Sequence, residues 1–386
     1  MPVTQRRRPR DRGACIALAA AELFCVRGFH NVALEDIAGV VGITGPAIYR
    51  HFPTKQAILA AAVEELAGAF ATTVASAAPG GLPDVVGALV RFALDRRPVV
   101  RLYQWESRHL PAGERVRLAG RFADTVAVLR ELVAGNRPSL STRDVSVLVA
   151  AALSVVVSPS THRATLARST AERTVTDGAL AVLATDLPPP GRRPAGPDRR
   201  LTLLPRRERL LAEAVRLFHE RGYHAVSIAE IGAAAGITAS SVYAHVTGKA
   251  DLLAAAYHRA TSRLELATAE ALTGTTSPAT ALRRLAETYV RITFDQADLT
   301  AVYVSESENL RPADRHRLRV AQRRHVDTWV GLLGDLEPQR PAVLRFRVHA
   351  ALNVVTDLAR TGGRSVTEQR AVALVLALLD QRRNWS

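Results

Sequence analysis

Apolar residues recur at helical spacing along almost the whole chain, and no stretch of any length alternates as a half-buried strand does. Ile16, Ala20, Leu23 and Phe24 mark one face of a first helix. Gly28 ends it, being able to take positive φ, and the aromatic Phe29 follows. A short second helix is predicted from Leu34 to Val41, with Ile37 inward and the small Ala38 permitting close approach. Gly42 supplies the next turn. Thr44 reads as an N-cap, and Pro46 is tolerated in a first helical turn, where its missing N–H would be an orphan anyway. The third helix carries one large apolar residue, Ile48, so most of its surface is not needed for a core. Thr54 then caps a long helix that starts near Lys55 and runs through Ile58, Leu59, Val63, Leu66 and Phe70. It ends before Pro79-Gly80-Gly81.

The pattern occurs twice. Shifting by 194 lays residues 16–60 on 210–254 with 16 identities in 45 positions and no gap. Chance gives only about a fifth of that at this composition. Leu210, Ala214, Leu217 and Phe218 repeat the first face, Gly222-Tyr223 the corner, and Ile231 the inward residue of a helix from Ile228 to Ala235. The later long helix runs from Lys249 to about Leu272, before Gly274. A period this long marks duplicated domains rather than a solenoid. A second match, at a shift of 200, pairs Tyr103, Glu106, Ser107, Leu110, Arg115, Arg117 and Leu118 with Tyr303, Glu306, Ser307, Leu310, Arg315, Arg317 and Leu318. Each half closes in two apolar helices, about 141–157 with 171–185 and about 340–359 with 366–382. The expected fold class is all-α.

Helix, short helix, glycine turn, short helix is the helix-turn-helix arrangement, whose last element enters the DNA major groove. Both segments resemble the N-terminal domain of the TetR family of bacterial transcription regulators. In the first copy the resemblance rests on Phe24, Gly28, Phe29, Ile37, Ala38, Gly42, Ile43, Thr44, Tyr49, His51, Phe52, Lys55 and Leu59. In the second it rests on Phe218, Gly222, Tyr223, Ile231, Gly236, Ile237, Thr238, Tyr243, His245, Lys249 and Leu253. That copy departs from the pattern at Val246, where an aromatic is usual, and at Gly232, where alanine is usual.

The resemblance implies two TetR-like units fused in one chain. A basic arm (1–12) precedes a reader (13–55) and a helical regulatory domain (56–186). A Pro/Arg-rich linker (187–205) leads to a second reader (206–249) and regulatory domain (250–386). In the family the last two helices form a four-helix dimer bundle, so two such pairs on one chain imply an intramolecular pseudo-dimer acting as a monomer. A linker of about twenty residues can span on the order of 50–60 Å.

Carried over by position, the recognition helices are 45–51 and 239–245. Thr44, Tyr49 and Lys55, with Thr238, Tyr243 and Lys249, are expected on phosphates. Lys55 sits in a first helical turn, where a cation opposes the helix dipole unless a phosphate binds. Gly45, Pro46, Ala47 and Arg50 are expected at base edges of one half-site, and Ala239, Ser240, Ser241 and Ala244 at the other. Arg50 suits a guanine; Ala244 at most touches a thymine methyl. Plain packing is the alternative for both tyrosines, and a solvated surface position for both lysines. For His51 and His245 a packed, hydrogen-bonded ring is favoured over a DNA contact. Tyr103, Trp105, Glu106, Tyr303 and Glu306 are the candidates for an inducer pocket, with core packing equally compatible. The segment around Tyr103 and Glu106 is similar to actinobacterial regulators near lipid-metabolism genes, which points to a small apolar, acyl-CoA-like ligand.

Composition narrows this further. Net charge is +15 and pI about 10.9, suited to a polyanionic partner. Five arginines lie within 1–12, and Arg192, Arg193, Arg199, Arg200, Arg206 and Arg207 precede the second reader. These runs are either solvated tails or arms that reach phosphates or a minor groove. Cys15 and Cys25 lie about 15 Å apart on one helix and cannot pair, consistent with a reduced, cytoplasmic protein. No span is expected to cross a membrane; the best run, Val145 to Val157, is short and contains Ser146 and Ser154. Arg6-Arg7-Arg8 ahead of Ala14 to Ala21 imitates a signal peptide, but the equivalent helix recurs in mid-chain. No P-loop, dinucleotide fingerprint, metal-ligand cluster or G-x-S-x-G is present, so neither an enzyme nor a cofactor is expected. Two alternatives to a sequence-specific regulator, expected as a ligand-responsive repressor, stay open. One is a charge-driven non-specific binder; the other is a regulator with one degenerate reader that needs a second chain.

Overall fold

The computed structural model describes residues 9–189, 205–243, 246–361 and 366–380. The arm ahead of residue 9, linker residues 190–204, and Ala244 and His245 lie outside the described residues, as do the side chains of residues 9–11, 239 and 240. Among the described residues every regular element is a helix. The chain divides into two compact units, 1–140 and 141–386.

The first unit holds α1 (Pro9–Arg27), α2 (Leu34–Val41), α3 (Gly45–Tyr49), α4 (Lys55–Ala77), α5 (Leu82–Asp95), α6 (Leu102–Glu106) and α7 (Ala112–Asn136). Ile16, Phe24, Ile37, Ile48, Ile58 and Leu59 are fully buried in one core. Each contributes about 1.5–3 kcal/mol by leaving water. The glycine punctuation is as expected: Gly28 has φ 77° and Gly42 φ 71°. Past Gly42 the amide of Ile43 donates to Ala38 O at 3.0 Å, so the turn satisfies helix-end carbonyls as it reverses the chain. Thr54 caps α4, its Oγ1 accepting from Ala57 N at 3.1 Å. Helix α1 takes in residues 9–12, which the sequence assigned to the arm.

The second unit begins with α8 (Thr142–Val157) and α9 (Arg168–Leu183), the last two helices of the first repeat. It continues with α10 (Arg206–Arg221), α11 (Ile228–Ala234), α12 (Ala239–Tyr243), α13 (Lys249–Leu272), α14 (Pro278–Asp295), α15 (Ala297–Glu306), α16 (Pro312–Leu336), α17 (Pro341–Thr361) and α18 (Glu368–Leu379). The division falls at 140 rather than in the linker because α8 and α9 pack on α17, and α9 also on α18. The two closing pairs thus form one bundle. Two polar ties cross it. Asn353 Nδ2 donates to Ser154 O at 2.8 Å, and Arg370, 3% exposed, forms an ion pair with Asp144 at 2.8 Å. Arg370 also donates through Nε to Pro188 O at 2.9 Å.

One expectation needs correcting. The helical segments Lys55–Gly80 and Thr142–Thr161 are long and apolar enough to cross a membrane by length and composition. Their apolar faces are used inside the protein: α4 packs on α1, α5 and α7, and α8 on α9 and α17. Neither cysteine is in a disulfide. Burial pushes the Cys25 thiol up, with Glu106 and Glu22 adding to the effect.

Candidate nucleic-acid interface

In the first reader, α2 and α3 meet across the Gly42 turn and bury only Ile48 of α3. Thr44 has the extended backbone of an N-cap, φ −89° and ψ 152°, but its hydroxyl makes no capping bond. Thr44, Pro46, Tyr49 and Arg50 are exposed, and Gly45 and Ala47 are half-buried. A Cβ at Gly45 would stand 3.2 Å from Glu35 Oε1, so a side chain there asks only a small shift of the Glu35 carboxylate. Tyr49 keeps 59% of its surface in solvent. That removes packing as its explanation. His51 is likewise exposed, correcting the preference for a packed ring: the helix ends at Tyr49 and the turn carries His51 outward.

The second reader repeats the design with small changes. Gly236 has φ 70°, and Ile237 N donates to Gly232 O at 2.9 Å. Val242 is the buried anchor and Tyr243 is 60% exposed. Thr238 Oγ1 accepts from Ser241 N at 3.4 Å and lies 2.9 Å from Ser241 Oγ, so here the threonine does cap its helix. Ser227 and Glu230 form a full capping box at the start of α11, which holds the Glu230 carboxyl down at about 2. His245 and Ala244 lie outside the described residues, as do the side chains of Ala239 and Ser240.

Both lysines are engaged at the corners of their own readers. Lys55 Nζ donates to Phe29 O at 2.8 Å and Val32 O at 2.9 Å, and stands 4.4 Å from the centre of the Phe29 ring. Lys249 Nζ donates to Tyr223 O at 2.7 Å and lies 4.6 Å from the Tyr223 ring. Burial pulls both ammonium groups below their ordinary range. Neither is a solvated surface lysine. Each spends its donors on carbonyls of its own reader's corner.

The five pocket candidates separate. Glu106 Oε2 accepts from Phe29 N at 3.3 Å, and Glu306 Oε1 from Tyr223 N at 3.1 Å. Both carboxylates are buried and hydrogen-bonded to the readers, which fits the paired, packed alternative for these two candidates. Tyr103 stacks on Phe122 at 4.6 Å, and Tyr303 meets Tyr257 edge-on at 5.2 Å. Trp105 is half-buried, its ring 5.6 Å from the Arg101 guanidinium and its Nε1 buried without a partner. A cavity of ≈ 340 Å³ beside the start of α4 is lined by Thr54, Ala57, Ala60, Glu64, Pro111 and Arg117 among others, and by none of these five. Sequence reasoning missed the Glu–corner–Lys arrangement. Its signal was available, because all three members repeat in both halves.

The family model for bacterial regulatory proteins of the tetR family matches residues 16–62 and again 210–256. The HTH-type transcriptional activator FasR of Mycolicibacterium smegmatis is 30% identical over 200 residues, which is 50% of this chain and 80% of FasR. The chain belongs to the TetR family. It is a tandem member: both matches fall on helix-turn-helix units whose exposed third helices are described above. A TetR-family chain of this kind is a DNA-binding transcription regulator. The HTH-type transcriptional repressor KstR2 of Rhodococcus jostii is 34% identical over 106 residues, a quarter of this chain and half of KstR2. The solved structure of the TetR-family regulator PfmR of Thermus thermophilus matches 46% of this chain and 97% of its own, with 25% identity and a TM-score of 0.42.

Proposed function

We propose that one chain reads one operator with both of its readers, as a ligand-responsive repressor working in the cytoplasm. The observation that carries this is the bundle of α8, α9, α17 and α18. The surface that would otherwise recruit a second subunit is used up within the chain.

Tyr49 and Tyr243 are assigned to phosphates, with Thr44 at the start of α3. Thr238, engaged with Ser241, contributes mainly by fixing the start of α12. Gly45, Pro46, Ala47 and Arg50 read one half-site; Ala239, Ser240, Ser241 and Ala244 read the other, and His51 and His245 flank them. Because Arg50 faces Ala244 in the repeat, the half-sites differ: the first prefers a guanine that the second does not require. The operator is therefore an imperfect inverted repeat, its half-sites one helical turn or a multiple apart, about 34–36 Å per turn.

The effector is assigned to the regulatory domains. In the first, Phe70, Phe92, Phe122 and Tyr103 cluster with ring centres 4.6 to 6.2 Å apart, an interior suited to an apolar, acyl-like ligand. Its binding would tilt the long helices that lead into the readers and so change operator affinity.

The test is selection from random duplexes followed by footprinting. Two unlike half-sites protected by one chain are expected. A perfect palindrome protected by two chains, or equal affinity for random DNA at moderate salt, would overturn the proposal.

A further inference from the structure

We infer that Glu106 and Glu306 are positioning residues for DNA reading, each bracing the corner of its own reader against a helix of its regulatory domain, α6 or α15. This rests on the proposal that each reader serves its own half-site.

The corner is the stretch after Gly28 or Gly222, where positive φ turns the chain out of the first helix. The amide that follows begins a new turn and has no helical acceptor. In both halves a buried carboxylate from about eighty residues away takes that amide: Phe29 N to Glu106 and Tyr223 N to Glu306. From the other side the ammonium of Lys55 or Lys249 takes the carbonyls of the same corner and lies over its aromatic ring. A strut from the regulatory side and a clamp from the long helix thus hold the corner residue, Phe29 or Tyr223, by its N–H and its carbonyl.

Local preference does not account for the acid. Glu106 and Glu306 are each the last residue of their helix, where a carboxylate opposes the dipole. Each is also buried, 5% and 2% exposed, which is unfavourable for a charge that lacks compensation. The corner amide and the nearby ammonium provide that compensation. The second half adds Asn309, whose Nδ2 donates to Glu306 Oε2 at 2.9 Å. The first places His109 there, 3.6 Å from Glu106 and stacked on Phe29 at 4.9 Å. The same strut is built twice with different supports. Displacement of α6 or α15 would move the corner, and with it the reader.

Glu106→Ala and Glu306→Ala, each in the full chain, test this by footprinting on the selected duplex. Glu106→Ala should weaken protection of the half-site read by residues 45–50 roughly tenfold and leave the other within about twofold. Glu306→Ala should do the reverse, and Glu106→Gln, which keeps an acceptor for Phe29 N, should restore most of the protection. Equal weakening of both half-sites, or of neither, overturns the inference. Hydrogen exchange without DNA separates this from failure of the two-half-site proposal. Glu106→Ala should loosen residues 29–49 while α5 and α7 keep wild-type protection. Unchanged exchange at 29–49, or loosening throughout the unit, contradicts the strut whatever the footprint shows.

Discussion

Tyr49 and Tyr243 carry large aromatic surface into solvent, each next to the buried anchor of its helix, Ile48 or Val242. Their hydroxyls are therefore free for a phosphate. Tyr49→Phe should weaken operator binding about three- to tenfold, the worth of one hydrogen bond, while thermal stability stays within about 0.5 kcal/mol. Titration calorimetry and a thermal melt check both halves of that statement. His325 gives a second expectation at this scale. Burial lowers its pKa from 6.5 to about 4, and its Nε2 accepts from Trp329 Nε1 at 3.0 Å. The fold holds the neutral ring, so its stabilisation is complete above pH 6.5 and is lost as pH falls toward 4. The loss reaches roughly 3 kcal/mol. Denaturation of the wild type should weaken over that range, and His325→Gln should flatten the dependence. Burial at this scale was only partly legible: the inward isoleucines could be read from spacing, whereas the partners of Lys55 lie 26 and 23 residues away and could not.

The turns decide where each element points. Gly42 has φ 71° and open space where a Cβ would stand, so Gly42→Ala meets no clash and suffers only the left-handed backbone penalty. We expect a loss of about 1 kcal/mol in chemical denaturation, with operator affinity reduced further as α3 reorients. Helix boundaries set by glycine, threonine and proline were legible almost to the residue: α2 spans Leu34–Val41 and α4 starts at Lys55, as expected. The first recognition helix ends two residues early, at Tyr49. Spacing could not reveal this, because the residues that end it make no apolar pattern. The repeated Glu106 and Glu306 were visible as identities, but their partners lie 77 and 83 residues away, and distance in sequence hides contact.

For the whole molecule, the duplication was plain in the sequence, and so was its all-helical character. The joining of the halves came from the family resemblance rather than from any residue pattern, because apolar closing helices suit many bundles. What makes the pairing specific is polar: Arg370 on α18 finds Asp144 on α8, and Asn353 on α17 finds a carbonyl of Ser154. Arg370→Met should destabilise the second unit by a few kcal/mol in chemical denaturation, because it leaves Asp144 without its cation. The double variant Asp144→Asn/Arg370→Met should recover part of that loss. On the proposed reading, the bundle completed within one chain takes the place of a second subunit. Native mass spectrometry of the protein with its selected duplex tests this most directly. One chain per duplex, with both half-sites occupied, is expected; two chains per duplex would contradict it.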